Sequence, residues 1–210
     1  MNFLRTANIN ASLERRISTA RLNKYLALAD GELDAALSQY EQNTKLSEAF
    51  YTPLQCLEIC LRNTIHEQMS AAYASHWLTN GGPPLSVASL AMIDEAVAEL
   101  KNNVLAPTPD DIVAELKFAF WIGLLGQHYD NTLWRKALYK GFANGGSKRR
   151  QVVHQRFNVI RRLRNRIAHH EPIFMRDNAR DHAEILEAIG WMCADTQAWA
   201  AHHSRVLVVL

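Results

Sequence analysis

With 210 residues and 48% apolar side chains, the chain can bury one sizeable core, so a single domain over 1–210 is expected. No apolar run approaches the length of a bilayer span, and Met1-Asn2-Phe3-Leu4-Arg5 lacks the basic-then-apolar order of a signal peptide. Three cysteines, an odd number, do not suit a disulfide framework, and the expectation is a cytoplasmic, reducing setting with no membrane.

In chain order the periodicity predicts helices throughout. A first helix runs roughly 11–29, carrying Leu22 and Tyr25, and Asp30-Gly31 breaks it and can cap a second with Leu33, Ala36, Leu37 and Tyr40 at burial spacing. Asn43-Thr44 reads as a short joint. A long helix follows through Leu46, Phe50, Leu54, Leu57, Leu61 and Ile65 to about Tyr73, with a kink or a new start at Pro53. Cys56 and Cys60, four apart, read as core thiols. Asn80-Gly81-Gly82-Pro83-Pro84 is a linker, and 86–102 is another amphipathic helix. Pro107-Thr108-Pro109-Asp110 opens a helix over 111–126 that is apolar on most sides, which suits a central helix or an oligomer interface. Trp134 and Leu138 mark a short helix, Asn144-Gly145-Gly146 a turn, and Ser147 a cap for a basic helix. A last helix over 177–202 places Ile185, Leu186, Ile189, Met192 and Trp199 for burial, and 206–210 is either a packed segment or a frayed end.

Charge is segregated. Net charge is only +2, from 23 Lys and Arg against 21 Asp and Glu, yet 131–170 contains no acid and eleven basic residues. The rest of the chain therefore carries 12 basic against 21 acidic residues, the pattern of a polyanion-binding surface on an acidic body. Within the tract, Val153, Phe157, Ile160, Leu163 and Ile167 recur as a helical apolar stripe, and Arg164 falls inside it, about 40° from Ile160. A guanidinium there needs a carboxylate, a phosphate or a wet cleft. Glu58 or Glu115 could be a purely structural partner. Asn165 follows, and one turn later His169-His170 precede Glu171-Pro172, where Pro172 disfavours helix at Glu171. The histidines could equally be a helix end suited to the macrodipole. Being consecutive, His169, His170 and Glu171 do not suit one metal ion, so no metal or cofactor is expected. Glu58 and Arg62, spaced i, i+4, are expected to pair in support of the bundle, and His202-His203 read as surface residues.

Arg164-Asn165-x-x-x-His169 resembles the R-x4-6-H motif of HEPN-domain ribonucleases. The longer Leu163-Arg164-Asn165-Arg166-Ile167-Ala168-His169-His170-Glu171-Pro172 resembles the Abi-like (abortive infection, Abi_2-type) family. Arg21-Leu22-x-x-Tyr25, Leu57-Glu58-x-x-Leu61-Arg62-Asn63 and Ile112-Val113-Ala114-Glu115-Leu116-x-Phe118-x-Phe120-Trp121 echo the same family, so the resemblance covers about 18–199. It implies an all-α fold, a HEPN-like helical bundle with additional N-terminal helices, commonly a homodimer whose two motifs meet across a cleft. It also implies metal-independent endoribonuclease activity in phage defence or toxin–antitoxin control, with an antitoxin of protein or RNA as a possible partner. Glu171 stands where some HEPN toxins carry a tyrosine modified by a partner enzyme, so that mode of control is not expected here.

The chemistry is consistent with these residue types. Attack of the RNA 2′-OH on its own phosphate needs proton transfer, for which His169 is suited, and a guanidinium such as Arg164 to hold the phosphate. Asn165 could orient the His169 ring. His170, Arg161, Arg166 and Arg156 are the expected RNA-backbone contacts, with Glu58 and Arg62 behind the helix. An ideal helix separates Arg164 from His169 by about 140°, so two copies meeting across a dimer axis are expected to complete one site, joined through 111–126 or 177–202. The alternative is a non-catalytic RNA-binding, regulatory or sensor protein using the same basic cleft.

Overall fold

The computed structural model describes residues 3–79, 82–102, 107–144 and 148–210, and these contain helices and no strand. Helix α1 (Ala7–Ile17) is capped by Thr6 and stops at Ser18, whose φ of 82° leaves the helical region. The Ser18 hydroxyl then accepts from the Arg21 N–H and starts α2 (Thr19–Leu28), so the one helix expected over 11–29 is two. After α2, Asp30 and Gly31 take left-handed φ values and the Gly31 N–H returns to the Leu26 carbonyl, a closed helix end. Asp30 does not cap the next helix. The N-cap of α3 (Leu33–Ala49) is Glu32, with no side-chain bond.

Helix α3 runs straight through Asn43-Thr44, so no joint exists there. α4 (Tyr51–Tyr73) begins after Phe50 and holds Pro53 as its third residue, where a missing N–H costs nothing. Helix α5 (Val87–Lys101) is capped by Ser86, and α6 (Pro109–Glu115) by a Thr108–Asp111 capping box. The apolar segment after it is not one helix. Leu116 and Lys117 are extended (ψ 126° and 150°), and α7 (Phe118–Gly123) starts in a new direction. Short 3-10 and π turns fill 127–129, 130–134 and 138–142. The basic helix α8 (Arg150–Ala168) has Arg149 at its N-cap without a side-chain bond. Asn80, Gly81, Gly145, Gly146 and Ser147, read from sequence as linker, turn and cap, lie outside the described residues. The last long helix is also two, α9 (Asn178–Gly190) and α10 (Ala194–His203), separated at 191–193 and followed by a packed turn, α11 (Val206–Val209).

The main core joins α4 to α8 and α9. Leu57, Leu61 and Ile65 meet Val153, Phe157, Ile160 and Leu163 with Ile185, Ala188 and Ile189, all buried as their spacing predicts. Each of the Val, Leu, Ile and Phe side chains contributes roughly 1.5–3 kcal/mol by leaving water. Phe118, Phe120, Trp121, Leu124 and Leu125 enter the same core, so the apolar face of 111–126 is consumed within the chain and is not left for a partner. Trp199, expected to be buried, is instead 55% exposed. A second, smaller cluster of Leu22, Tyr25, Ala36 and Leu37 holds α1–α3 together, and Phe174 packs against both clusters. Among the described residues no helix is long and apolar enough to cross a membrane.

Candidate nucleic-acid interface and active site

Among the described residues, Arg135, Arg150, Arg156, Arg164 and Arg166 meet acids supplied from outside the 131–170 tract. Asp130 pairs with both Arg135 (2.9 Å) and Arg150 (3.1 Å), and Arg150 also donates to the Leu125 carbonyl. Arg156 reaches Glu184 and Glu187 on α9 and lies 5.1 Å from the Trp191 ring centre. Arg164 faces Glu58 on α4 at 3.7 Å, and Arg166 meets Glu171 at 3.6 Å while donating to the Pro172 carbonyl. The acid-free stretch of sequence is thus a partly neutralised surface in space. Arg149, Arg162, Lys136 and Lys140 form no ion pair among the described residues.

Of the carboxylate, phosphate or wet cleft that its position called for, Glu58 gives Arg164 a carboxylate, yet its side chain keeps 42% exposure. It borders two clefts. One of about 400 Å³ lies against α4 and includes Glu58, Ile59, Arg62 and Ile167. The other, of about 500 Å³, lies under the α6–α7 corner and brings Arg164 together with Arg161 and Asn165. Arg62 does not pair with Glu58; its guanidinium donates to the Ala114 carbonyl at 3.3 Å and ties α4 to α6. Arg161 donates to the Asn158 side-chain carbonyl oxygen at 3.4 Å, and the Asn158 amide bonds the His154 ring at 2.9 Å. Burial, reinforced by the nearby charges of Arg150 and Arg161, holds the His154 imidazole below its ordinary pKa.

The two histidines of the motif are exposed and border neither cleft. His169 is the C-cap of α8, and its ring makes no hydrogen bond to Asn165 among the described residues; only the backbones meet, His169 N–H to Asn165 carbonyl at 2.9 Å. His170 takes φ 56°, the left-handed region usually held by glycine. Its N–H bonds the Ile167 carbonyl, and the Glu171 N–H bonds the Arg166 carbonyl at 2.8 Å, a complete Schellman closure. The left-handed turn sends the chain away from α8 and leaves both imidazoles in solvent.

What holds that turn comes from the N-terminal helices. Arg21 on α2 donates from Nη1 to the His170 carbonyl at 2.8 Å and to the His169 carbonyl at 3.3 Å. Asn43 on α3 is buried and accepts from the Ile173 N–H at 2.7 Å and the Phe174 N–H at 3.3 Å. The Phe174 ring stacks on Tyr25 at 5.2 Å. Burial, then the neighbouring Tyr40, pushes the Tyr25 hydroxyl up to about 12. In the sequence, Tyr25 reads as a residue of the first helix, Arg21 is singled out through the family resemblance, and Asn43 reads as a joint. The one available signal was an asparagine inside an otherwise apolar helical stripe.

Among the described residues no group of three or more His, Cys, Asp or Glu side chains is placed to hold a metal ion. No family model, curated protein or solved structure matches the chain.

Proposed function

We propose that this chain is a metal-independent endoribonuclease of the HEPN and Abi-like kind, cleaving RNA by attack of the 2′-OH on the adjacent phosphate. The observation that carries the reading is the end of α8. Two exposed imidazoles, His169 and His170, sit on a turn fixed by Arg21 and the Schellman closure. Arg164 and Asn165, a turn earlier, border a cleft. His169 moves the proton, Arg164 binds the phosphate, and Arg161 extends the basic track. Because Arg164 and His169 leave α8 on different sides, a two-fold dimer brings one protomer's arginine to its partner's histidine. Such an activity serves phage defence or toxin–antitoxin control inside the cell, with an antitoxin of protein or RNA restraining it.

One observation favours the second reading, a non-cleaving RNA binder: the Arg164–Glu58 pair gives Arg164 a structural occupation. Incubating the purified protein with single-stranded RNA, with and without a chelator, separates the two. The nuclease leaves 2′,3′-cyclic phosphate and 5′-hydroxyl ends, spares DNA and tolerates the chelator. Binding without cleavage selects the second reading, and activity restored only by a divalent ion overturns the metal-independent mechanism.

A further inference from the structure

Arg21 is tied to the motif by one nitrogen only. Its Nη1 carries two N–H groups, directed at the His169 and His170 carbonyls at 3.3 and 2.8 Å. A guanidinium has five N–H donors, so Nε–H and the two of Nη2 remain. Among the described residues these have no hydrogen-bond partner, and no carboxylate pairs with Arg21, which is exposed. Nε and Nη2 form the edge that grips a carboxylate or phosphate through two parallel bonds. The nearest turn of α2 adds another exposed cation, Lys24, and the one acid of the turn, Glu171, is already engaged by Arg166.

A cation with a vacant fork is thus anchored within one residue of both exposed imidazoles, in the same chain. We propose that Arg21 is a phosphate-binding residue of the RNA site, taking a backbone phosphate of single-stranded RNA beside His169 and His170. The inference rests on the RNA-directed reading above and deepens it. It supplies His169 with a guanidinium that α8 itself cannot aim there, since Arg164 lies about 140° round the helix. It also gives the N-terminal helices a role in substrate binding as well as in holding the turn.

The test uses the full chain and a short single-stranded oligoribonucleotide made uncleavable by 2′-O-methylation. Arg21→Gln keeps a donor for the carbonyls and removes the charge and the fork; Arg21→Lys keeps the charge and removes the fork. Arg21→Gln is expected to weaken binding roughly five- to tenfold and to lower the slope of log affinity against log salt by about 0.7, one phosphate contact on a single strand. Arg21→Lys should retain the slope and lose part of the affinity. Unchanged affinity in both variants overturns the proposal. A second arm titrates inorganic phosphate into wild-type protein and follows the imidazole NMR signals of His169 and His170. Shifts that vanish in Arg21→Gln support the anion site even in a protein that cleaves nothing, an outcome that removes the nuclease reading alone. No shift in wild type, or equal shifts in the variant, overturns the role of Arg21.

Discussion

At the N-terminal end of α8, Arg150 is drawn into the fold by Asp130 and the Leu125 carbonyl, whereas at the C-terminal end His169 and His170 stand in solvent on a turn whose carbonyls Arg21 holds. The helix dipole explains the contrast. Cations crowd the positive end unfavourably, so Arg150 needs a carboxylate beside it. At the negative end the orphan carbonyls attract a cation from elsewhere in the fold, and Arg21 provides one. Ionisable side chains are thus drawn into the fold at one end of α8 and exposed to solvent at the other. A run of basic residues in sequence does not distinguish the two.

Activity gives the largest expected separation between the two ends. His169→Ala and Arg164→Ala are each expected to lower RNA cleavage at least ~100-fold, the usual scale for a proton-transfer group or a charge-stabilising donor, with the fold intact. Arg149→Ala, at the opposite end, should leave the rate within about twofold of wild type. Cleavage rates that fall equally for Arg149 and His169 would abolish the comparison. So would a monomer in solution that cleaves at full rate after Arg164→Ala.

Stability sharpens the contrast from the other side. Asn43→Ala strands the buried Ile173 N–H and the Phe174 N–H just beyond the motif, and should cost about 2–3 kcal/mol in denaturant unfolding. Arg150→Ala, losing a half-buried pair with Asp130, is expected to cost about 1 kcal/mol. An Asn43 variant as stable as wild type would show that the exit from α8 is held by something else.

Protonation acts on the whole fold. Burial lowers the imidazole pKa of His66, whose ring accepts from Trp77, and of His154 and His182. Each is ordinarily near 6.5, so the unfolded chain takes up these protons first as pH falls. Their contribution to stability is complete above pH 6.5 and is lost as pH drops through the lowered folded values. Thermal midpoints should therefore decline from pH 7 to pH 5.5. His182→Gln should flatten part of that decline, and an unaltered pH profile in this variant counts against the assignment.

The smallest effect concerns the turn itself. His170 is held at φ 56°, where glycine carries no Cβ penalty, so His170→Gly is expected to stabilise by about 0.5–1 kcal/mol. Cleavage should fall far less than for His169→Ala. Destabilisation by glycine would mean that the His170 ring, and not the Arg21-held backbone, fixes the turn.

Sequence by itself determined the helical character and the core face of α8. Val153, Phe157, Ile160 and Leu163 recur at three- and four-residue intervals and are all buried, because amphipathic periodicity is a local property of the chain. It also placed Arg164 inside the apolar stripe, since 100° per residue fixes where a side chain leaves a helix, but left Glu58 and Glu115 both open as its partner. Helix breaks at Ser18, Leu116 and Trp191 escaped it. They depend on where the next helix must pack, and the local apolar pattern continues across each of them. Tertiary structure alone decided which arginines are neutralised, through acids as distant as Glu184 and Glu58, and brought Arg21 to His170 across 149 positions of sequence. Such pairings have no periodicity to read, for a hydrogen bond between residues so far apart exists only once the core has set both backbones in place.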